Sequence, residues 1–345
     1  MGDRPASVPY QQGPAPCSSG RPMRGYGARP RHYAALDLGT NNCRLLIARV
    51  QGDGFTVIDA FSRIVRLGEG LASTGRISEA AIDRTIAALA VCSDKLRHRR
   101  VTLARSVATE ACRRAANGAE FIARVAAETG IMLDVITPEE EARLAVLGCH
   151  VLLEPGDDAA LIFDIGGGST ELVLIDTSEP VPRVLDWHST PWGVVSLTEH
   201  IGEADSERAR LAAYTRMREI VAESMAPFVA RLPRGLGHPR LLGTSGTVTT
   251  LASVHLKLDR YDRSAVDGLI VPAAAMRRIS ADLSGMSLAE RARVACIGHD
   301  RADLVVAGCA ILEVVLDLWP AERLGVADRG IREGILRRLM RNERL

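Results

Sequence analysis

The sequence predicts an α/β protein made of two similar domains facing each other across a cleft, and three observations carry that reading. Two segments, Asp37-Leu38-Gly39-Thr40-Asn41-Asn42 and Asp164-Ile165-Gly166-Gly167-Gly168-Ser169-Thr170-Glu171, each follow a short apolar β-like run that ends on a carboxylate. Each leads into a second β-like run, Arg44 to Val50 and Leu172 to Ile175, so the order strand, glycine turn, strand occurs twice. Around both, extended runs alternate with helical stretches, the order expected of sheets with helices packed on them.

The first half opens with extended runs at Tyr33 to Leu36, Arg44 to Val50 and Phe55 to Asp59, the last two joined by a hairpin at Gly52-Asp53-Gly54. A helix is predicted from a Ser78 cap, with Glu79 behind it, to about Arg97, because Ala81, Ile82, Ile86, Leu89 and Ala90 fall on one face. A strand at Val101 to Ala104, the segment Ser106 to Arg113, a helix and a strand near Met132 to Ile136 follow. Thr137, Pro138 and Glu140 read as a capping box that opens another helix. In the second half, helices around Glu207 to Arg231 and a strand at Arg240 to Leu242 lead to a third small-residue loop, Gly243-Thr244-Ser245-Gly246-Thr247. That loop runs into Val248 to Ser253 and reads either as a plain turn or as the start of a helix whose N-terminus holds a phosphate.

The two glycine turns carry the chemistry. Glycines let the backbone fold back tightly so that its N–H groups converge on an anion, and two such turns face to face make a phosphate clamp. The first turn alone also fits an ordinary hairpin, whereas three consecutive glycines concentrate a large entropic cost where something approaches the backbone closely. Asp37 and Asp164 have the sign of phosphate, so they belong beside it only with a divalent cation between them, which points to Mg²⁺. Among Glu139, Glu140 and Glu141, capping and the helix dipole account for the first two. Glu141 is not needed for capping, and from the cleft it can orient and deprotonate a water for in-line attack on a terminal phosphorus.

Composition sets the bounds. The 345 residues, 47% hydrophobic and 25% charged, describe an ordinary soluble globular protein long enough for two cores. A net charge of +1 supplies no general attraction to nucleic acid or anionic membrane, so neither is expected as a partner. All but two of the 43 basic residues, Lys95 and Lys257, are arginine, a bias this uniform reflecting genome composition more than phosphate binding. The seven cysteines are scattered and never occur as Cys-x-x-Cys, which favours a reducing cytoplasm over a disulfide framework or a zinc site. Residues 1–31 are rich in Pro, Gly, Ser and Arg and read as a flexible tail without an export signal, and no apolar run approaches a membrane span.

Seven segments taken together give the chain a family resemblance. They are Asp37 to Asn41, Val107-Ala108-Thr109 through Arg113, Glu140 to Leu144, Asp164 to Glu171, Gly243 to Thr247, Arg301-Ala302-Asp303 and Arg329 to Gly334. In this order and spacing the chain resembles the exopolyphosphatase/guanosine pentaphosphate phosphohydrolase (Ppx/GppA) family, from about Tyr33 onward. The resemblance implies an actin-like (sugar kinase/Hsp70-type) fold of duplicated ribonuclease H-like domains with a central cleft. The first would span residues 32–152 and the second 153–345, with the last helix packing back on the first. It also implies a cytoplasmic homodimer of the short form, without further C-terminal helical domains. The family's catalytic glutamate falls on Glu141, its metal-associated acids on Asp37, Asp164 and Glu171, and a phosphate-contacting arginine on Arg113. Its phosphate loops fall on Gly39, Thr40 and Asn41 and on Gly166, Gly167, Gly168, Ser169 and Thr170. Three departures stand out: Thr40 and Asn42 replace serines, Ser196 stands where arginine is common, and Ser245 stands where the third loop usually has glycine.

The activity so implied is Mg²⁺-dependent release of terminal orthophosphate from inorganic polyphosphate, with guanosine pentaphosphate as a second substrate. Arg97-His98-Arg99-Arg100, Arg105, Arg113 and Arg114 are candidates for a basic path, although a solvated helix end explains the first four equally. Two other classes remain: an ATP-using kinase or ATPase of the same fold, and a non-hydrolysing sensor of guanosine tetra- or pentaphosphate. Glu141 weighs against both.

Overall fold

The structure is a computed structural model and describes residues 31–52, 54–154, 156, 159–179, 182–202, 204–232 and 239–342. The expected tail up to residue 30, Cys17 and Asp53 of the predicted hairpin lie outside these residues. The first half contributes strands β1 (His32–Leu38), β2 (Asn42–Gln51), β3 (Gly54–Ile64), β4 (Leu103–Ala108) and β5 (Leu133–Val135). Its helices are α1 (Leu71–Thr74), α2 (Glu79–His98), α3 (Glu110–Arg114), α4 (Gly118–Thr129) and α5 (Pro138–Cys149). The second half contributes β6 (Ala160–Ile165), β7 (Thr170–Asp176), β8 (Arg183–Thr190), β9 (Arg240–Thr244), β10 (Ile270–Pro272) and β11 (Arg323–Ala327). With them run α6 (Val194–Ile201), α7 (Glu207–Arg231), α8 (Gly246–His255), α9 (Arg263–Val266), α10 (Ala273–Gly285), α11 (Leu288–Arg293), α12 (Val305–Leu318) and α13 (Ile331–Asn342).

The two sheets share one topology. The first runs β3-β2-β1-β4-β5 and the second β8-β7-β6-β9-β11, with β10 added at its edge. In each, three strands form an antiparallel meander, and the first of them then pairs in parallel with the strand that follows the crossover. This duplication is the actin-like, ribonuclease H-like arrangement expected from the sequence. It puts the carboxyl ends of β1 and β6, and the turns that follow them, at the crevice where open α/β sheets bind ligands.

Alternation along β1 sorts its side chains onto two faces. Ala34, Leu36 and Leu38 pack with α2 and α4 through Ile82, Leu89 and Phe121, while Tyr33 and Ala35 pack with Leu144, Ile335 and Leu336 of α5 and α13. Helix α5 is apolar on both sides because it lies between the sheets: Leu144 and Ala145 face the first, and Ala142, Val146 and Cys149 face the second. Helices α5 and α13 meet backbone to backbone, and a Cβ placed on Gly148 would lie 1.9 Å from the Gly330 carbonyl oxygen.

Several expected boundaries shift. The strand expected at 101–104 forms instead at Leu103–Ala108, because register with β1 pairs Leu38 with Ala108. Ser78 caps α2 as expected, its side chain accepting from Ala81 N. The capping box of α5 is only half formed: Thr137 accepts from Glu140 N at 3.2 Å, but the Glu140 carboxylate turns to Arg105 and Arg338 at 2.9 and 3.0 Å. Ion pairs with two long arginines outcompete the return bond to the cap. No helix among the described residues is long and apolar enough to cross a membrane.

Candidate active site

Both glycine turns meet in the cleft. In the first, Gly39 N donates to Asn42 O at 2.9 Å, and Thr40 and Asn41 are 6% and 9% exposed. The loop after β3 holds this turn from behind, since Val65 N and Arg66 N donate to Asn41 O and Gly68 N to Thr40 O, at 2.9, 3.1 and 2.9 Å. In the second turn, Gly166 and Gly167 give their carbonyls to Val194 N and Val195 N at the start of α6. The amides of Gly167, Gly168 and Ser169 bond to no other described residue. Glycine is required here by close approach: a Cβ on Gly167 would lie 3.0 Å from Thr40 Cβ, and one on Gly168 2.7 Å from Thr40 Oγ1. Ser196, at the position where the resemblance led us to look for arginine, is buried in α6 and bonds to Gly193 N and Gly168 O, fastening that helix to the second turn.

The third loop does open a helix, α8, and its Ser245 has φ 95° and ψ 176°, a conformation that glycine adopts without cost. Its Oγ is buried and has no hydrogen-bond partner among the described residues, as is the case for Asn41 Oδ1 in the first turn. Replacing Ser245 with glycine is expected to relieve about 1–3 kcal/mol of strain. Thermal unfolding reads this, and a Tm at or below that of the parent would show that the site stores no strain.

The acids are placed by strand register. Asp164 and Glu171 stand directly opposite each other on β6 and β7, and Asp37 lies at the end of β1 opposite Arg44. Like charges directly across a pair of strands repel. Burial, then Asp37, raises the Asp164 carboxyl to about 6, and burial, then Asp164, raises that of Glu171 to about 7. Burial raises Asp37 as well, against the pull of Arg44 and Arg332. Ser189 Oγ donates to Glu171 Oε1 at 2.9 Å and fixes its orientation. Among the described residues no three His, Cys or acidic side chains converge tightly enough to cage a metal by themselves. This donor set suits Mg²⁺, which takes one or two carboxylates and completes its shell with water and substrate phosphate oxygens.

With no counter-charge between them the facing pair is a liability. Glu171→Gln is therefore expected to raise stability in EDTA at mildly alkaline pH by about 0.2–1 kcal/mol. A fall in Tm would mean that Glu171 is held by contacts that outweigh the repulsion.

Glu141, 7% exposed, lies in the first turn of α5 and lines the cleft with Asp37, Asp164 and Glu171. Burial, reinforced by Glu171 and Asp37, pushes its carboxyl well above the usual carboxylate range against the pull of Arg113. Arg113 Nη1 donates to Glu141 Oε2 at 2.8 Å and to the Ile136 carbonyl at 2.7 Å.

Of the residues expected to contact phosphate, Gly39, Thr40, Asn41 and Gly166 through Ser169 line the cleft. Thr170 and Arg113 do not. Thr170 is fully buried in β7 and donates its hydroxyl to the Trp192 carbonyl at 2.7 Å, while Arg113 is bound to two glutamates. The arginine cluster at 97–100 sits at the opposite end of β1, where the Arg99 carbonyl meets the His32 ring and Arg97 and Arg99 pair with Asp94 and Asp59. Four other arginines line the cleft: Arg44 on β2, Arg301 before α12, Arg329 just before α13 and Arg332 at its start. Arg329 pairs with Asp267 at 2.7 Å, whereas Arg44, Arg301 and Arg332 make no ion pair with another described residue, and burial lowers the pKa of Arg301 and Arg332. Arg301 and Arg332 sit inside motifs read in the sequence without a role of their own, and nothing local marks Arg44.

The duplicated sheets and facing turns place the chain in the actin-like class of two-lobed α/β proteins, with a cleft between the lobes. The chain belongs to the Ppx/GppA phosphatase family, which it matches over residues 46–343. It is 33% identical over 316 residues to "Exopolyphosphatase 2" of Mycobacterium tuberculosis, covering 88% of this chain and 96% of that protein. It is 29% identical over 315 residues to the "Guanosine-5'-triphosphate,3'-diphosphate pyrophosphatase" of Aeromonas hydrophila, covering 90% of this chain but 60% of that longer protein. Among solved structures, the Ppx/GppA family member of Aquifex aeolicus superposes with a TM-score of 0.75 at 30% identity, covering 91% of this chain and 99% of that one. An exopolyphosphatase from Cytophaga hutchinsonii gives 0.80 at 26% identity, covering 90% and 98%.

Proposed function

We propose that the protein is a Mg²⁺-dependent phosphohydrolase that releases terminal orthophosphate from inorganic polyphosphate and converts guanosine pentaphosphate to the tetraphosphate. The observation that carries this reading is Glu141, a buried carboxylate raised in basicity and held by Arg113 in the cleft that both phosphate turns line. The relatives' names give the substrate class. In this reading the free amides of Gly167, Gly168 and Ser169 and the polar side chains of Thr40 and Asn41 bind the terminal phosphoryl group. Arg44, Arg301 and Arg332 bind the phosphates behind it, which accounts for their lack of acidic partners. Asp37, Asp164 and Glu171 would hold Mg²⁺, which when bound supplies charge neutralisation to phosphate oxygens. Glu141 Oε orients a water and accepts its proton as that water attacks the terminal phosphorus in line.

Long-chain polyphosphate and guanosine pentaphosphate, each incubated with the full chain with and without Mg²⁺, test the assignment through released orthophosphate. Mg²⁺-dependent release from either is expected, and the ratio of kcat/KM ranks the two. Folded protein that releases phosphate from neither would overturn the reading. A cytoplasmic homodimer belongs to the same proposal, and sedimentation should give twice the mass of one chain.

A further inference from the structure

Glu110 is an acid where the site calls for cations. It opens α3, its side chain is 15% exposed, and it lines the cleft beside the second phosphate turn, where a Cβ on Gly168 would lie 3.0 Å from Glu110 Cγ. A carboxylate next to an anion-binding turn opposes binding unless its charge is committed elsewhere. The Glu110 charge is committed chiefly to Arg113, whose Nε and Nη2 donate to Glu110 Oε2 at 3.2 and 2.8 Å, with Arg114 Nε 3.9 Å from Oε1. The other edge of the same guanidinium donates from Nη1 to the Ile136 carbonyl and to Glu141 Oε2. All but one of its N–H donors are thereby used within the protein.

We propose that Glu110 is a positioning residue that acts through Arg113 on Glu141. By fixing the far edge of the planar guanidinium it sets the near edge, which orients the Glu141 carboxylate toward the water it deprotonates. Arg113 is then a strut between two carboxylates, and the packing of Glu110 on Gly168 ties that strut to the turn that receives the phosphate. Without Glu110 the guanidinium is held only through Nη1, by the Ile136 carbonyl and Glu141, and can turn its released edge toward Glu141, which occupies the oxygen the proton must reach. The proposal rests on the reading of Glu141 as the base.

The test is steady-state orthophosphate release from long-chain polyphosphate with Mg²⁺ by Glu110→Ala, Glu110→Gln, Arg113→Lys and the Glu110→Ala/Arg113→Lys double variant. The Glu110 variants are repeated in a Glu141→Gln background, with thermal unfolding as the fold control. Glu110→Ala is expected to lower kcat about 10- to 100-fold, the usual reach of an outer-shell partner, while KM changes less than about twofold. Glu110→Gln keeps an oxygen that accepts from the same guanidinium edge and should recover most of the rate. The double variant should be no slower than the slower single, and Glu110→Ala should have no effect once Glu141 is gone. Should Glu110→Ala fail to fold, Glu110→Asp, with an arm one methylene shorter, is expected to lower kcat at unchanged KM.

A raised KM at unchanged kcat would place Glu110 on the substrate and overturn the proposal, as would additive losses or an unchanged kcat. If Glu141→Gln alone proves as active as wild type, it is the base reading that fails. An inactive Glu141→Gln beside a fully active Glu110→Ala shows instead that the fault lies with Glu110.

Discussion

Glu141→Gln is expected to lower kcat for orthophosphate release by about 10²- to 10⁴-fold, the usual contribution of a positioned general base, with KM changed by less than about twofold. Glutamine has the same shape, and its amide oxygen can still accept from Arg113 Nη1, which reaches Glu141 Oε2 at 2.8 Å. What it loses is the capacity to take a proton. The fold should not suffer, because the wild-type carboxylate is buried and faces the repulsion of Glu171 and Asp37, so removing its charge removes a cost. Arg113 keeps its pair with Glu110 at 2.8 Å, so no cation is stranded in the interior. Kinetics on both substrates, with thermal unfolding alongside, give a clear reading. A kcat within about threefold of wild type would mean that the base is another group and that Glu141 is structural.

Gly334→Ala is expected to unfold the protein at lower temperature and to slow whatever remains folded. Inside a helix this exchange normally stabilises by about 1 kcal/mol. Here the added Cβ would lie 2.0 Å from the Leu144 carbonyl oxygen, far inside contact distance, and the obstacle is backbone that cannot swing aside. Overpacking of this kind costs about 1–3 kcal/mol and occasionally more, so the clash outweighs the propensity gain. The only relief is to push α13 and α5 apart, and α5 carries Glu141 in its first turn. A displacement of about 1 Å at a catalytic group can cost about 10²-fold in rate. Both the Tm and kcat should therefore fall. A Tm above that of the parent would show that the two helices separate without cost.

How much of this was legible in the sequence depended on whether the signal was local. The two glycine turns were readable because a strand ending on aspartate, glycines and a second strand all lie within a few residues, and the fold does place Asp37 and Asp164 at equivalent strand ends. Glu141 could be isolated because capping explained its neighbours, although Glu140 proved to pair with Arg105 and Arg338 rather than to close the box. Arg44, Arg301 and Arg332 were not assigned, because what makes them notable is the lack of an acidic partner in three dimensions. The cluster at 97–100 had the opposite fault: it looked basic in sequence, but Asp94 and Asp59 neutralise part of it at the wrong end of the strand. Arg113 and Thr170 carried the right motif, but only the structure shows that the Thr170 hydroxyl and all but one of the Arg113 donors are already engaged within the protein.

Helix α13 has a consequence for how the chain is made. One face of the first sheet, through Tyr33, Ala35, Leu46 and Ala48, is covered by Ile331, Ile335, Leu336 and Met340, which come near the end of the chain. During synthesis that face emerges from the ribosome long before its cover exists. The second sheet, whose helices α7, α8, α10 and α12 are all encoded before α13, can gather its own core in sequence. The earliest strands therefore have α5 to pack against early, but they receive the rest of this cover only when α13 follows β11, the last strand of the second sheet.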